Sequence, residues 1–255
     1  MRLHLEEWGP PEGQRVVCLH GVTNHGRHFA RLAGALPDFH VLATDLLGHG
    51  SSPYEPPWDL ETHLDAVVET VGTRPAVLIG HSFGGRLALE LAARAPKLVP
   101  KLVLLDPALH VRPEVALFAA ENARKERAYV SFDEGVDRRY DESQLSRAPR
   151  ELVEEELVGH LVPDDDGSYR YRYSQAAVVA AYGEMASEPP SFERARIPTL
   201  YVFGETSYLP HDHLLDAYRE ALGDLLGVVA VPGGHTVLWD ALVETTVAVT
   251  EFLES

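Results

Sequence analysis

The stretch Val77-Leu78-Ile79-Gly80-His81-Ser82-Phe83-Gly84-Gly85 runs a short apolar strand into a serine flanked by glycines and straight on into a helix. A G-x-S-x-G turn forces its serine into a strained backbone conformation at the strand's end, and only neighbours without side chains let strand and helix crowd so closely. The residues that follow, from Arg86 to Arg94, are mostly good helix formers, and Pro96 stops them. Together these features predict a nucleophile elbow, with the hydroxyl of Ser82 lifted clear of a sheet.

Outward from the elbow, apolar runs alternate with amphipathic ones. Residues 3–8 read as an edge strand, and 15–19, 40–44, 101–106, 198–203 and 227–231 as further strands. Helices are predicted near 28–36, 60–71, 212–222 and 238–253. This alternation implies an α/β fold with a mostly parallel central sheet covered by helices on both faces. After Pro107 the pattern changes to helical periodicity without a clear buried strand, with candidates at 113–130, 133–145, 149–161 and 174–186. The chain therefore divides into a first core segment 1–107, an inserted helical cap 108–195 and a second core segment 196–255. Within the cap, Tyr169-Arg170-Tyr171-Arg172-Tyr173 can line a substrate entrance, but a short amphipathic strand is the simpler reading. Glu154-Glu155-Glu156 and Asp164-Asp165-Asp166 read as solvated charge runs.

Composition narrows the partners. The 255 residues carry 39 acidic and 22 basic side chains, a formal net charge of -17, so nucleic acid and anionic membrane surfaces would be repelled. Small-molecule partners are expected, and the oligomeric state is not legible. The single cysteine, Cys18, lies in an apolar strand and cannot form an internal disulfide. The first residues alternate and carry charge instead of forming a signal-peptide core, and no run approaches the roughly 18 apolar residues of a membrane span. A cytoplasmic protein is the expectation.

The chain resembles the α/β-hydrolase superfamily across nearly its whole length. The resemblance rests on His20-Gly21 after one strand, Asp45 with Gly48-His49-Gly50-x-Ser52 after the next, the Gly-His-Ser-Phe-Gly elbow, and Gly233-Gly234-His235 near the end. It implies that Ser82 is the nucleophile and that His235, one of 13 histidines, is its base. It also implies that the backbone amides of Val22 and Phe83 form the oxyanion hole. His20 and His49 then brace loops, and His81 points away from the reacting side. His211-Asp212-His213 invites a metal reading, but exposed residues at a loop-to-helix junction are the plainer one.

The acid is where the sequence departs from the family pattern. Many relatives carry an aspartate three residues after the glycine that ends the penultimate strand, and here Gly204-Glu205-Thr206-Ser207 puts serine in that place. Asp106 is the leading substitute, because it ends the strand after the elbow helix and some members of the superfamily place their acid there. Glu205 is second, and a Ser-His dyad third. The resemblance implies a carboxylesterase- or lipase-like serine hydrolase acting on a small-molecule acyl substrate, with no cofactor and no metal. Serine at the elbow argues against dehalogenase and epoxide-hydrolase activity. Thioester, lactone and carbon–carbon bond hydrolysis stay open, as does a catalytically weak ligand-binding protein or receptor motivated by Ser207.

Overall fold

A computed structural model of the chain describes residues 1–125 and 127–255. The first half supplies β1 (Leu5–Trp8), β2 (Gln14–Leu19), α1 (Ala30–Gly34), β3 (Phe39–Thr44), α2 (Leu60–Val71), β4 (Val77–His81), α3 (Phe83–Arg94) and β5 (Leu102–Leu105). The insertion contributes α4 (Pro113–Ala123), α5 (Phe132–Ser143), α6 (Arg150–Leu157), β6 (Leu161–Pro163), β7 (Tyr169–Tyr171) and α7 (Gln175–Met185). The chain closes with β8 (Thr199–Gly204), α8 (Asp212–Leu222), β9 (Leu226–Val231), α9 (Val237–Asp240) and α10 (Leu242–Glu254).

Seven strands form one sheet in the order β1-β3-β2-β4-β5-β8-β9, and only the β1–β3 pairing is antiparallel. Side chains alternate across this sheet with period two, which decides what covers each face. Val17, Leu19, Leu42, Leu78, Leu102, Leu104 and Tyr201 pack with residues of α2, α3 and α8. Their neighbours Val16, Cys18, Val41, Ala43, Ile79, Val103 and Val202 pack with Phe29, Leu32 and residues of α9 and α10. Both faces are thus dry, and the parallel strands read as continuous apolar runs for that reason. The order reverses beside β4, because the chain moves from β2 out to β3 and then returns to the other side of β2. A crevice outside the carboxyl ends of parallel strands opens at such a switch point.

The segment between β5 and β8 is partly helical, and its differences from the expected pattern have local causes. Residue 126 of the predicted helix 113–130 lies outside the described residues; α4 ends at Ala123, and Tyr129 instead exchanges backbone hydrogen bonds with Tyr169. The predicted helix 149–161 gives way after Leu157 to β6, which pairs antiparallel with β7 around the aspartate-rich turn. The tyrosine–arginine alternation does therefore form a short strand, and Tyr171 is buried beside Leu157, Leu161 and Trp239. The last helix breaks at Ala241 (φ -140°, ψ 45°), where the chain bends so that Asp240 turns inward. Among the described residues no helix is long and apolar enough to cross a membrane.

Candidate active site

The elbow has the geometry that its glycines require. Ser82 sits at φ 53° and ψ -119° between the end of β4 and the start of α3. A Cβ on Gly80 would stand 2.3 Å from the carbonyl oxygen of Gly84, and one on Gly84 would stand 2.0 Å from that of Leu19. No side chain fits at either place, so the start of α3 lies directly against the ends of β4 and β2. The loop leaving β2 passes just as close: a Cβ on Gly21 would lie 2.8 Å from Cβ of Ser82 and 3.4 Å from its Oγ. Val22 follows in that loop, and Phe83 is the first residue of α3, where an amide has no intrahelical acceptor. The two amides named from sequence thus belong to the segments that flank Ser82.

Asp106 and His235 meet. Nδ1 of His235 lies 2.7 Å from Oδ1 of Asp106, and the carboxylate is fully buried. Gly204 donates its amide to Oδ2 of Asp106 at 2.8 Å. Ser207, at the place where many relatives carry the acid, donates its hydroxyl to Oδ1 at 2.7 Å. A second histidine that sequence reading passed over faces the same carboxylate. His211 is buried, not exposed as expected: its Nε2 lies 3.3 Å from Oδ1 of Asp106, and its Nδ1 lies 2.8 Å from the hydroxyl of Tyr201. Only Asp212 and His213 of that triplet are exposed. The spacing offered no signal for His211, because its approach to Asp106 depends on the path of the loop between β8 and α8.

These partners decide the charge of Asp106. Burial acts against ionisation, but the close approach of His211, the hydrogen bond from His235 and the attraction of both imidazoles outweigh it and hold the carboxyl below its ordinary range. Glu205, the other acid considered from sequence, is exposed. Tyr208, mostly exposed, lies over the ring of His235 with centroids 4.8 Å apart. His81 anchors the histidine loop from beneath, donating Nε2–H to the carbonyl of His235 at 3.1 Å. Burial, and then the neighbouring His235, keep the pKa of His81 well below that of a free imidazole.

The remaining motifs brace the loops. Leu46 donates its amide to Nε2 of His20, so the proton of that ring is on Nδ1 and is donated to the carbonyl of Gly21 at 2.7 Å. Asp45 accepts from the amides of Gly26 and Ser51, and its carbonyl accepts from the hydroxyl of Ser52. Nε2 of His49 accepts from the amide of Thr23. All three motifs thereby fix the segment that carries Gly21 and Val22.

A parallel sheet covered on both faces, with an elbow serine at its centre and a carboxylate-bonded histidine at the same edge, defines the class of α/β enzymes that do chemistry from loops at strand ends. The family model described as alpha/beta hydrolase fold matches residues 14–242, and the chain belongs to that family. It is 36% identical to the lipase LipV of Mycobacterium tuberculosis over 92% of this chain and 91% of that protein. It is 28% identical to 2-(acetamidomethylene)succinate hydrolase of Mesorhizobium japonicum over 99% of this chain and 92% of that one. A solved structure of E-2-(acetamidomethylene)succinate hydrolase superposes with a TM-score of 0.86 at 26% identity, covering 99% of this chain and 95% of that one. Relatives named as lipases and hydrolases support a hydrolase of this family.

Proposed function

We propose that this protein is a serine hydrolase of carboxylesterase or lipase type, cleaving a small-molecule carboxylic ester through an acyl-enzyme on Ser82. His235 takes the proton of Ser82 as the oxygen attacks the ester carbonyl, and then delivers it to the leaving alcohol. Asp106 holds the ring in the tautomer that carries its proton on Nδ1 and stabilises the imidazolium. The amides of Val22 and Phe83 meet the oxyanion, and water, activated by the same histidine, releases the acid. The reaction as proposed uses side chains and backbone amides alone.

The observation that supports this most is the 2.7 Å contact of His235 with a buried, low-pKa Asp106 beside an elbow serine. The binding-protein reading drew its motive from Ser207, and that motive weakens because the Ser207 hydroxyl supports Asp106. Cys18 is buried and its thiol pKa is pushed up by burial, which fits a structural thiol and a cytoplasmic location. The test is labelling with a fluorophosphonate probe together with hydrolysis of p-nitrophenyl esters. Native protein is expected to label and turn over, and folded Ser82→Ala to do neither; labelling that persists in the variant would remove Ser82 from the role.

A further inference from the structure

The loop after β2 contains a residue in an unfavourable conformation, and cap residues hold it there. The amide of Asn24 donates to the carbonyl of Gly21 at 3.2 Å, closing a four-residue turn in which Thr23 is third with φ 64°. A type I turn has negative φ at that position, whereas a type II turn has positive φ and favours glycine there. Threonine is β-branched, and a left-handed φ brings its Cβ against its own backbone. Something outside the turn must hold it.

Every polar group of Thr23 is engaged, and the engagement comes largely from the insertion. Arg139 of α5 donates from Nη1 to the Thr23 hydroxyl at 3.0 Å and from Nη2 to the Thr23 carbonyl at 3.1 Å. His160, just before β6, donates Nε2–H to the same carbonyl at 3.1 Å. The guanidinium is buried, lies 4.3 Å from the ring centre of Tyr171 and 6.0 Å from that of Trp239, and leaves its Nε without a hydrogen-bond partner. Such a fork, stacked on aromatic faces, has one orientation. The residue before Thr23 is Val22.

We propose that Arg139 is a positioning residue contributed by the cap: with His160 it locks Thr23 in the left-handed conformation and so fixes the turn that presents the Val22 amide to the oxyanion. The inference rests on the reading of Val22 as an oxyanion donor. Without the clamp Thr23 relaxes toward negative φ, the turn that begins at Gly21 loosens, and the Val22 amide loses its fixed orientation beside the position where charge develops. The effect falls on the transition state more than on substrate binding.

Arg139→Met is therefore expected to lower kcat for p-nitrophenyl acetate by about 10- to 100-fold, short of the two to three orders of magnitude that follow loss of an oxyanion donor. KM should stay within about threefold, and the inhibition constant of phenylboronic acid, whose serine adduct is tetrahedral, should rise in parallel with the fall in kcat. Glycine adopts φ near 64° without strain, so adding Thr23→Gly to Arg139→Met should raise kcat by at least about fivefold. An unchanged kcat, a loss confined to KM, or no recovery with Thr23→Gly overturns the proposal. If Arg139→Met does not fold, Thr23→Val and Thr23→Gly in the native background decide. Valine keeps the strain and loses a clamp contact, so it must be the slower of the two; equal rates or the reverse order overturn the proposal. Ser82→Ala separates the two levels, because hydrolysis surviving there defeats the nucleophile reading itself.

Discussion

In the proposed function Asp106 serves as the acid, and Ser207, at the place where many relatives carry theirs, donates its hydroxyl to it. Four groups converge on its carboxylate: the amide of Gly204, the hydroxyl of Ser207, and the rings of His211 and His235. Asp106→Asn is predicted to cut turnover by roughly four orders of magnitude, as loss of the acid does in related machinery, while fluorophosphonate access to Ser82 is kept. Because Ser207 reaches within 2.7 Å of Asp106, a carboxylate at position 207 stands at the same acceptor site. Ser207→Asp alone should impair activity by placing two like charges side by side, and combining it with Asp106→Asn should recover part of the lost rate. Steady-state kinetics on the four forms checks this; a double variant no faster than Asp106→Asn would show that position 207 cannot face His235. The elbow and the place of Asp106 were legible in sequence because each follows a recognisable strand, and His235 was named by resemblance, on the loop after the last strand. His211 was not, since its approach to Asp106 depends on the fold of the loop between β8 and α8.

At the scale of elements, the insertion is fastened to the core by a few buried polar groups, none marked by periodicity. Arg86 of α3 donates to the carbonyls of Leu109, Ser187 and Glu188, so one side chain ties together both ends of the cap. It also meets the carboxylate of Glu90 at 3.0 Å. Arg86→Met leaves the Leu109 carbonyl buried without this donor and removes the tie to the exposed Ser187 and Glu188, and should lower unfolding free energy by about 3 kcal/mol, the scale for breaking a network around a buried charge. Urea denaturation measures it, and a loss below about 1 kcal/mol, the level of a surface pair, would contradict the role. On the opposite side, Asp240 accepts from the amides of Ser146, Arg147 and Ala148 and from that of Gly234, which joins the cap to the loop bearing His235. Glu156 likewise bridges Nδ1 of His28 and Nε1 of Trp239. In sequence Glu156 belongs to an acidic run and reads as solvated; only its contacts with His28 and Trp239 show its side chain to be largely covered. Strand and helix order followed from alternation and proline stops, whereas the break at Ala241 and the β6–β7 pairing arise from tertiary contacts.

For the molecule as a whole, buried imidazoles make stability depend on pH in a definite direction. Burial lowers the pKa of His25 and His49 to about 4 and of His63 to about 3, and pushes His20, His81 and His160 well below the ordinary value. These rings are neutral in the folded protein but take up protons in the unfolded chain below about pH 6.5, so stability is retained above that pH and lost as pH falls. Each contributes up to about 1.4 kcal/mol per pH unit in that window. Asp106 acts later, its depressed pKa giving stability that is lost only below about pH 4. Thermal melts at about 0.5 M salt, where repulsion among the acidic side chains is screened, should show Tm falling between about pH 7 and pH 5; a flat Tm would contradict the neutral-histidine reading. The central claim, an acyl-enzyme on Ser82, is tested most directly by intact-protein and peptide mass spectrometry after rapid mixing with p-nitrophenyl acetate and acid quench. One acetyl group is expected on the peptide that contains Ser82, absent in Ser82→Ala. Acetylation of another residue that tracks turnover, or undiminished turnover by Ser82→Ala, would contradict it.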